Sequence, residues 1–140
     1  METITKWNRW ANSHTNIFTD VLRVLFGAFL LYKGVYFLQD TEALYGLVRG
    51  IANEGTYFIL VHYVALTHIC GGAFIMMGLI TRWCALVEVP ILLGAVLINF
   101  IGTMHPGNLL QATLALVVSV FFVFYGSGKH SVDHSLRLHA

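Results

Sequence analysis

Among the polar side chains inside the long apolar blocks of this 140-residue chain, seven could do chemistry or pair charges: Arg23, Lys33, His62, His68, Glu88, Asn99 and Gln111. Their types define the chemistry open to them. An ammonium, neutral imidazoles and amides together hydrogen-bond a neutral or anionic, carbonyl-bearing group, and histidine and lysine also move protons. Arg23 and Glu88 have opposite charge and suit a structural ion pair. Catalytic residues cannot be assigned from the sequence, and no CxxCH, paired CxxC, HExxH or Gly-rich nucleotide motif is present, so the motifs imply no intrinsic cofactor.

The elements that must position these residues follow from composition. Only 11% of the chain is charged and 57% is hydrophobic, against about a quarter charged in soluble domains. The apolar residues fall in four blocks, 17–39, 57–80, 83–104 and 108–126, each 19 to 24 residues long. That is the length of a membrane-spanning helix. The expected fold is therefore all-α, an integral membrane four-helix bundle forming a single domain over 1–140. The first block is too long for a signal peptide, contains Arg23 and Lys33, and lacks a small-residue cleavage pattern. Thr81-Arg82 and His105-Pro106-Gly107 are links short enough to force antiparallel neighbours. Asn108 with Gln111 fits a capping box opening the fourth helix. Pro90 lies inside the third, where it deprives the Leu86 carbonyl of its usual partner. Between the first two blocks, Ala43, Leu44, Leu47, Val48 and Ile51 recur at helical spacing, predicting a short amphipathic helix on the outer membrane surface.

Orientation follows from the flanking basic residues. Lys6, Arg9, Arg82, Lys129 and Arg137 lie on the side of the termini, and only Arg49 on the other. The positive-inside rule then places both termini in the cytoplasm. Trp7, Trp10 and Trp83 mark the inner interface, and Tyr36, Tyr45 and Tyr57 the outer. The basic residues form no run, which argues against nucleic acid as a partner. Cys70 and Cys84 read as buried small hydrophobes, roughly 13 Å apart along the hairpin and too distant for a disulfide.

Depth sorts the buried polar groups into layers. Arg23 and Glu88 share an inner layer, and an interhelical pair fixing helix register is the natural reading. The alternative pairs Arg23 with Asp20 one turn earlier and leaves Glu88 to water or Arg82. Lys33, His62, Asn99 and Gln111 fall within about one turn of each other in an outer layer, with His68 nearer the midplane. Glu88, Leu92, Ala95 and Asn99 share one face of the third helix. Each residue has a plainer use as well: Lys33 snorkelling, Asn99 as interhelical glue, Gln111 as a cap, each histidine as a satisfied core residue. Convergence at one depth favours a shared pocket, and a quinone head group, its tail leaving between helices, fits the donor set. Haem or metal is disfavoured, because His62 and His68 are about 120° apart around the helix and a bis-histidine site would need another helix, as in His62 with His105.

Two stretches carry a family resemblance. Arg23-Val-Leu-Phe-Gly27 leading to Tyr32-Lys33-Gly34, and Gly71-Gly72 through Gly78-Leu-Ile-Thr81-Arg82, resemble the DoxX family of small bacterial membrane proteins. The resemblance implies a four-helix bundle and an association with quinone-linked redox chemistry, one related group being the membrane subunit of thiosulfate:quinone oxidoreductases. His68 departs from the pattern, standing where many relatives have glutamate. The glycines have a direct physical reading, since Gly27, Gly34, Gly71 and Gly72 allow close helix approach. Three function classes follow: a quinone-binding membrane subunit whose redox partner is another protein, a non-catalytic subunit or assembly factor of a larger membrane complex, and a small-solute or proton carrier acting as an oligomer. Expected partners are membrane lipid, quinone, and other membrane or redox proteins or further copies of the chain.

Overall fold

A computed structural model describes residues 17–40, 42, 53–101, 106–128 and 131–135. The elements are α1 (Ile17–Gln39), α2 (Glu54–Met77), α3 (Thr81–Ile101), α4 (Pro106–Tyr125) and a short α5 (Val132–Ser135). The amphipathic helix expected at 43–51, the residues Lys6, Trp7, Arg9, Trp10, Tyr45, Arg49, His105, Lys129 and Arg137, and the 102–105 link lie outside the described residues. Helices α1 to α4 are each long and apolar enough to cross a membrane. Their outward faces carry Phe18, Leu25, Ile59, Leu66, Phe100 and Val117 in the open. Such a surface suits contact with lipid.

The helix ends explain themselves residue by residue. Asn53 caps α2, its side chain accepting from the Thr56 amide at 2.9 Å. Gly78 ends α2 in the left-handed region (φ 70°), where glycine has no Cβ penalty, and its amide donates back to the Ile75 carbonyl. The α2–α3 turn is therefore 78–80, and Thr81 already opens α3. The fourth helix begins at Pro106, two residues before the expected cap. Proline suits a first helical position because its missing N–H has no partner there anyway. Asn108 and Gln111 consequently lie inside α4 and do not form its cap.

The bundle is built from two helix pairs. α1 packs closely on α2, and α3 on α4, with a looser α2–α3 contact and little between α1 and α4. Glycines set the first pair. A Cβ at Gly72 would lie 2.6 Å from the Gly27 carbonyl oxygen, and one at Gly34 would lie 2.8 Å from the Ala65 carbonyl oxygen. Backbone meets backbone there, as small residues permit in membranes. Phe26, Leu30, Ile75, Ala85, Leu92 and Phe122 form the shared core. α1 and α4 meet only at one end, through the stacked Phe26 and Phe122 rings and a Thr19–Tyr125 hydroxyl contact of 3.2 Å. The opposite end of the bundle is splayed.

Candidate functional site

The closed end gathers most of the buried charge. The Arg23 guanidinium donates to the Ser127 carbonyl and stands 3.6 Å from Asp20. Arg82 reaches across to the carbonyls of Phe124 and Tyr125, at 3.3 and 3.4 Å, joining the start of α3 to the end of α4. Asp133, buried in α5, holds the α2–α3 turn from both sides. Its backbone amide donates to the Gly78 carbonyl (3.1 Å) and its carboxylate accepts from the Ile80 amide (2.8 Å). Arg23 and Ser131 crowd Gly78, where any Cβ would meet them at 3.1 and 2.6 Å. The interhelical Arg23–Glu88 pair expected from depth is not made. Arg23 faces the chain segment after α4, and of the two expected pairings only the one with Asp20 is present.

Glu88 instead faces α2. Its Oε2 lies 2.8 Å from His68 Nδ1, with the carboxyl group fully buried and the imidazole nearly so. The contact is close but poorly aligned as a hydrogen bond, and no other polar partner satisfies Nδ1 or either carboxylate oxygen among the described residues. Gly71 makes room for this carboxyl group, since a Cβ there would lie 3.0 Å from Oε1.

Between the helix pairs, in the splayed half, lies a cavity of about 670 Å³. That is ample for a drug-sized or lipid head-group ligand. Its walls are mostly apolar and aromatic, including Phe29, Tyr32, Tyr36, Phe37, Tyr63 and Leu92. Polar groups enter from every helix: Lys33 from α1, His68 from α2, Asn99 from α3, Asn108 and Gln111 from α4. Lys33 Nζ lies 5.8 Å from the Phe29 ring centroid and 5.9 Å from that of Tyr36, a cation held between aromatic faces. The packing of Gly34 against Ala65 and Ile69 sets Lys33 level with His68. Asn99 donates to the Ala95 carbonyl of its own helix at 2.8 Å, and its buried Oδ1 has no partner among the described residues. Asn99 stands eleven residues beyond Glu88, about 16 Å of helical rise, so it meets a different part of any ligand than His68 does.

Four of the five residues singled out from the sequence thus line one cavity: Lys33, His68, Asn99 and Gln111. His62 does not. Its ring is exposed, bonds the Phe58 carbonyl one turn back at 2.8 Å, and stacks near the Phe58 ring. The expected face of α3 is present, with Glu88, Leu92 and Asn99 buried and Ala95 beside them in the cavity wall. Cys70 is exposed on the lipid side and Cys84 half-buried, both as free thiols, so Cys70 is not the buried hydrophobe expected. The aromatic wall was not anticipated, although Phe29, Tyr32, Lys33, Tyr36 and Phe37 follow helical i, i+3, i+4 spacing and could have signalled it.

Four spans enclosing a cleft of this composition define a multi-pass membrane protein with an internal cavity. The DoxX family model matches residues 18–106, and the chain belongs to that family. No curated protein and no solved structure matches it. The family region contains the glycine contacts, Lys33, the His68–Glu88 pair and Arg82, whereas the Asp133 clamp lies beyond it.

Proposed function

We propose that this protein is a membrane subunit that binds a quinone-class head group in the cavity between its two helix pairs. The observation that carries the reading is Lys33 and His68 at one level of a mostly apolar, aromatic-walled cavity. Two hydrogen-bond donors there suit the oxygens of a planar carbonyl-bearing ring, and the aromatic residues suit its faces. A quinone supplies two-electron redox chemistry when bound. The residues of this chain orient its oxygens, exclude water and hold protons beside them, and electrons pass to or from another protein. The basic residues flanking the spans support an inner-membrane location with both termini in the cytoplasm.

The test is decylubiquinone binding to purified protein in nanodiscs. Lys33→Met and His68→Ala are expected to weaken binding about tenfold each, the loss of a buried hydrogen bond to the ligand. His62→Ala, outside the cavity, leaves affinity unchanged. Native affinity in both Lys33→Met and His68→Ala would remove the basis of the proposal.

A further inference from the structure

Glu88 does not line the cavity, whereas His68 does, and among the described residues Glu88 is the sole polar neighbour of His68 Nδ1. We infer that Glu88 is a positioning residue that sets the proton content of the site, so that His68 presents an N–H to the ligand while the pair holds its proton and a bare nitrogen once the proton is lost. The inference rests on the proposed quinone reading and names what regulates that same site.

The argument is one of proton counting. Nδ1 and Oε2 lie 2.8 Å apart in a fully buried setting with no third polar group to separate them. Two lone pairs at that distance repel, so one of the two atoms carries a proton. In the electrically neutral pair, either carboxylate with imidazolium or carboxylic acid with imidazole, that shared proton leaves the second ring proton on Nε2. Both neutral forms therefore donate toward the cavity. Removing one proton leaves carboxylate and neutral imidazole, whose single ring proton is held on Nδ1 by the carboxylate. Nε2 then becomes an acceptor, and the pair carries a net negative charge inside the membrane. That charge is costly inside the membrane.

The groups facing the pair are few. α1 contributes Lys33, with Tyr32 and Tyr36 also in the cavity wall, and α2 contributes Tyr63. Cys84 lies one turn before Glu88 on α3, and α4 offers only the uncharged Asn108 and Gln111 to the cavity. Arg23 and Arg82 are engaged at the closed end. Recognition of a carbonyl oxygen by His68 is thus linked to the proton that Glu88 shares.

The experiment compares decylubiquinone affinity in nanodiscs between about pH 6 and about pH 9 for the wild type and Glu88→Gln. The wild type is expected to weaken by about tenfold as the shared proton is lost, from a buried carbonyl left without its donor. Glu88→Gln, which has no anionic form and keeps Lys33, is expected to stay within about twofold. Equal pH slopes in the two proteins would overturn the inference. A second readout needs no ligand: nitrogen-15 NMR of the wild-type histidines, with His68 assigned by its loss in His68→Gln. Protonated Nε2 at neutral pH supports the inference, and bare Nε2 beside protonated Nδ1 overturns it. Should decylubiquinone fail to bind the wild type at every pH while Nε2 is protonated, the quinone reading falls and the proton-holding pair stands.

Discussion

Replacing Gly72 with alanine probes the contact on which the α1–α2 pair depends. The new Cβ would lie 2.6 Å from the Gly27 carbonyl oxygen, 2.7 Å from the Leu31 nitrogen and 3.2 Å from the Leu30 Cβ, where ordinary contacts begin at 3.4 Å. The nearest two are backbone atoms, which cannot rotate aside. The helices must therefore part by about 0.8 Å, and overpacking of this kind costs about 1–3 kcal/mol. Gly94→Ala is the matched control, because a Cβ there meets nothing within 4 Å. Both substitutions gain a similar helix-propensity increment of about 0.5–1 kcal/mol, so the difference between them isolates packing. Reversible unfolding in mixed detergent micelles should place Gly72→Ala below Gly94→Ala by that margin. Adding Gly27→Ala to Gly72→Ala should cost less than the sum of the two, since the first methyl already opens the gap for the second. Equal stability of Gly72→Ala and Gly94→Ala would refute close backbone approach as the basis of the pair.

Other consequences concern the closed end and the orientation. Arg82→Gln loses the charge-assisted bonds to the Phe124 and Tyr125 carbonyls and is expected to destabilise by about 1–3 kcal/mol, read from the same unfolding curves. Asp133→Ala removes the acceptor for the Ile80 amide, a loss of about 1 kcal/mol, and should speed proteolysis near residue 128; Asp133→Asn, which retains a side-chain oxygen, should be milder. A fluorescent reporter that folds only in the cytoplasm should light up when fused to the C-terminus, and a dark fusion with a bright periplasmic counterpart would reverse the orientation.

The spans were legible because a bilayer demands about 20 apolar residues in succession, and no soluble constraint competes with that signal. The ends were less so. Gly78 leaves the helix through its left-handed conformation, which moved the second turn three residues earlier than hydropathy alone suggested. Depth counting assumed that all spans begin in one plane. The Gly34 contact with Ala65 and Ile69 instead sets Lys33 beside His68, a registration that only packing reveals. The Arg23–Glu88 expectation failed for a related reason. Matching depth and opposite charge say nothing about azimuth, and Arg23 points to a segment after α4 that carries no periodic signal of its own. His62 and His68 illustrate the converse. Their separation of about 120° around the helix meant that both could not face one narrow cavity, and the structure selects His68. The residues that carry the family resemblance also divide by location. Arg23, Gly78 and Arg82 hold the closed end together, while Lys33 alone of the motif charges enters the cavity.

The most direct measurement is site mapping with a photoreactive azidoquinone in nanodiscs, followed by peptide mass spectrometry. Label is expected on the cavity faces of α2 and α3, around Tyr63–His68 and Pro90–Asn99, displaced by decylubiquinone and greatly reduced in Lys33→Met and His68→Ala. Label confined to the lipid-facing residues, or cavity labelling indifferent to both substitutions, would contradict a quinone-class ligand held by Lys33 and His68.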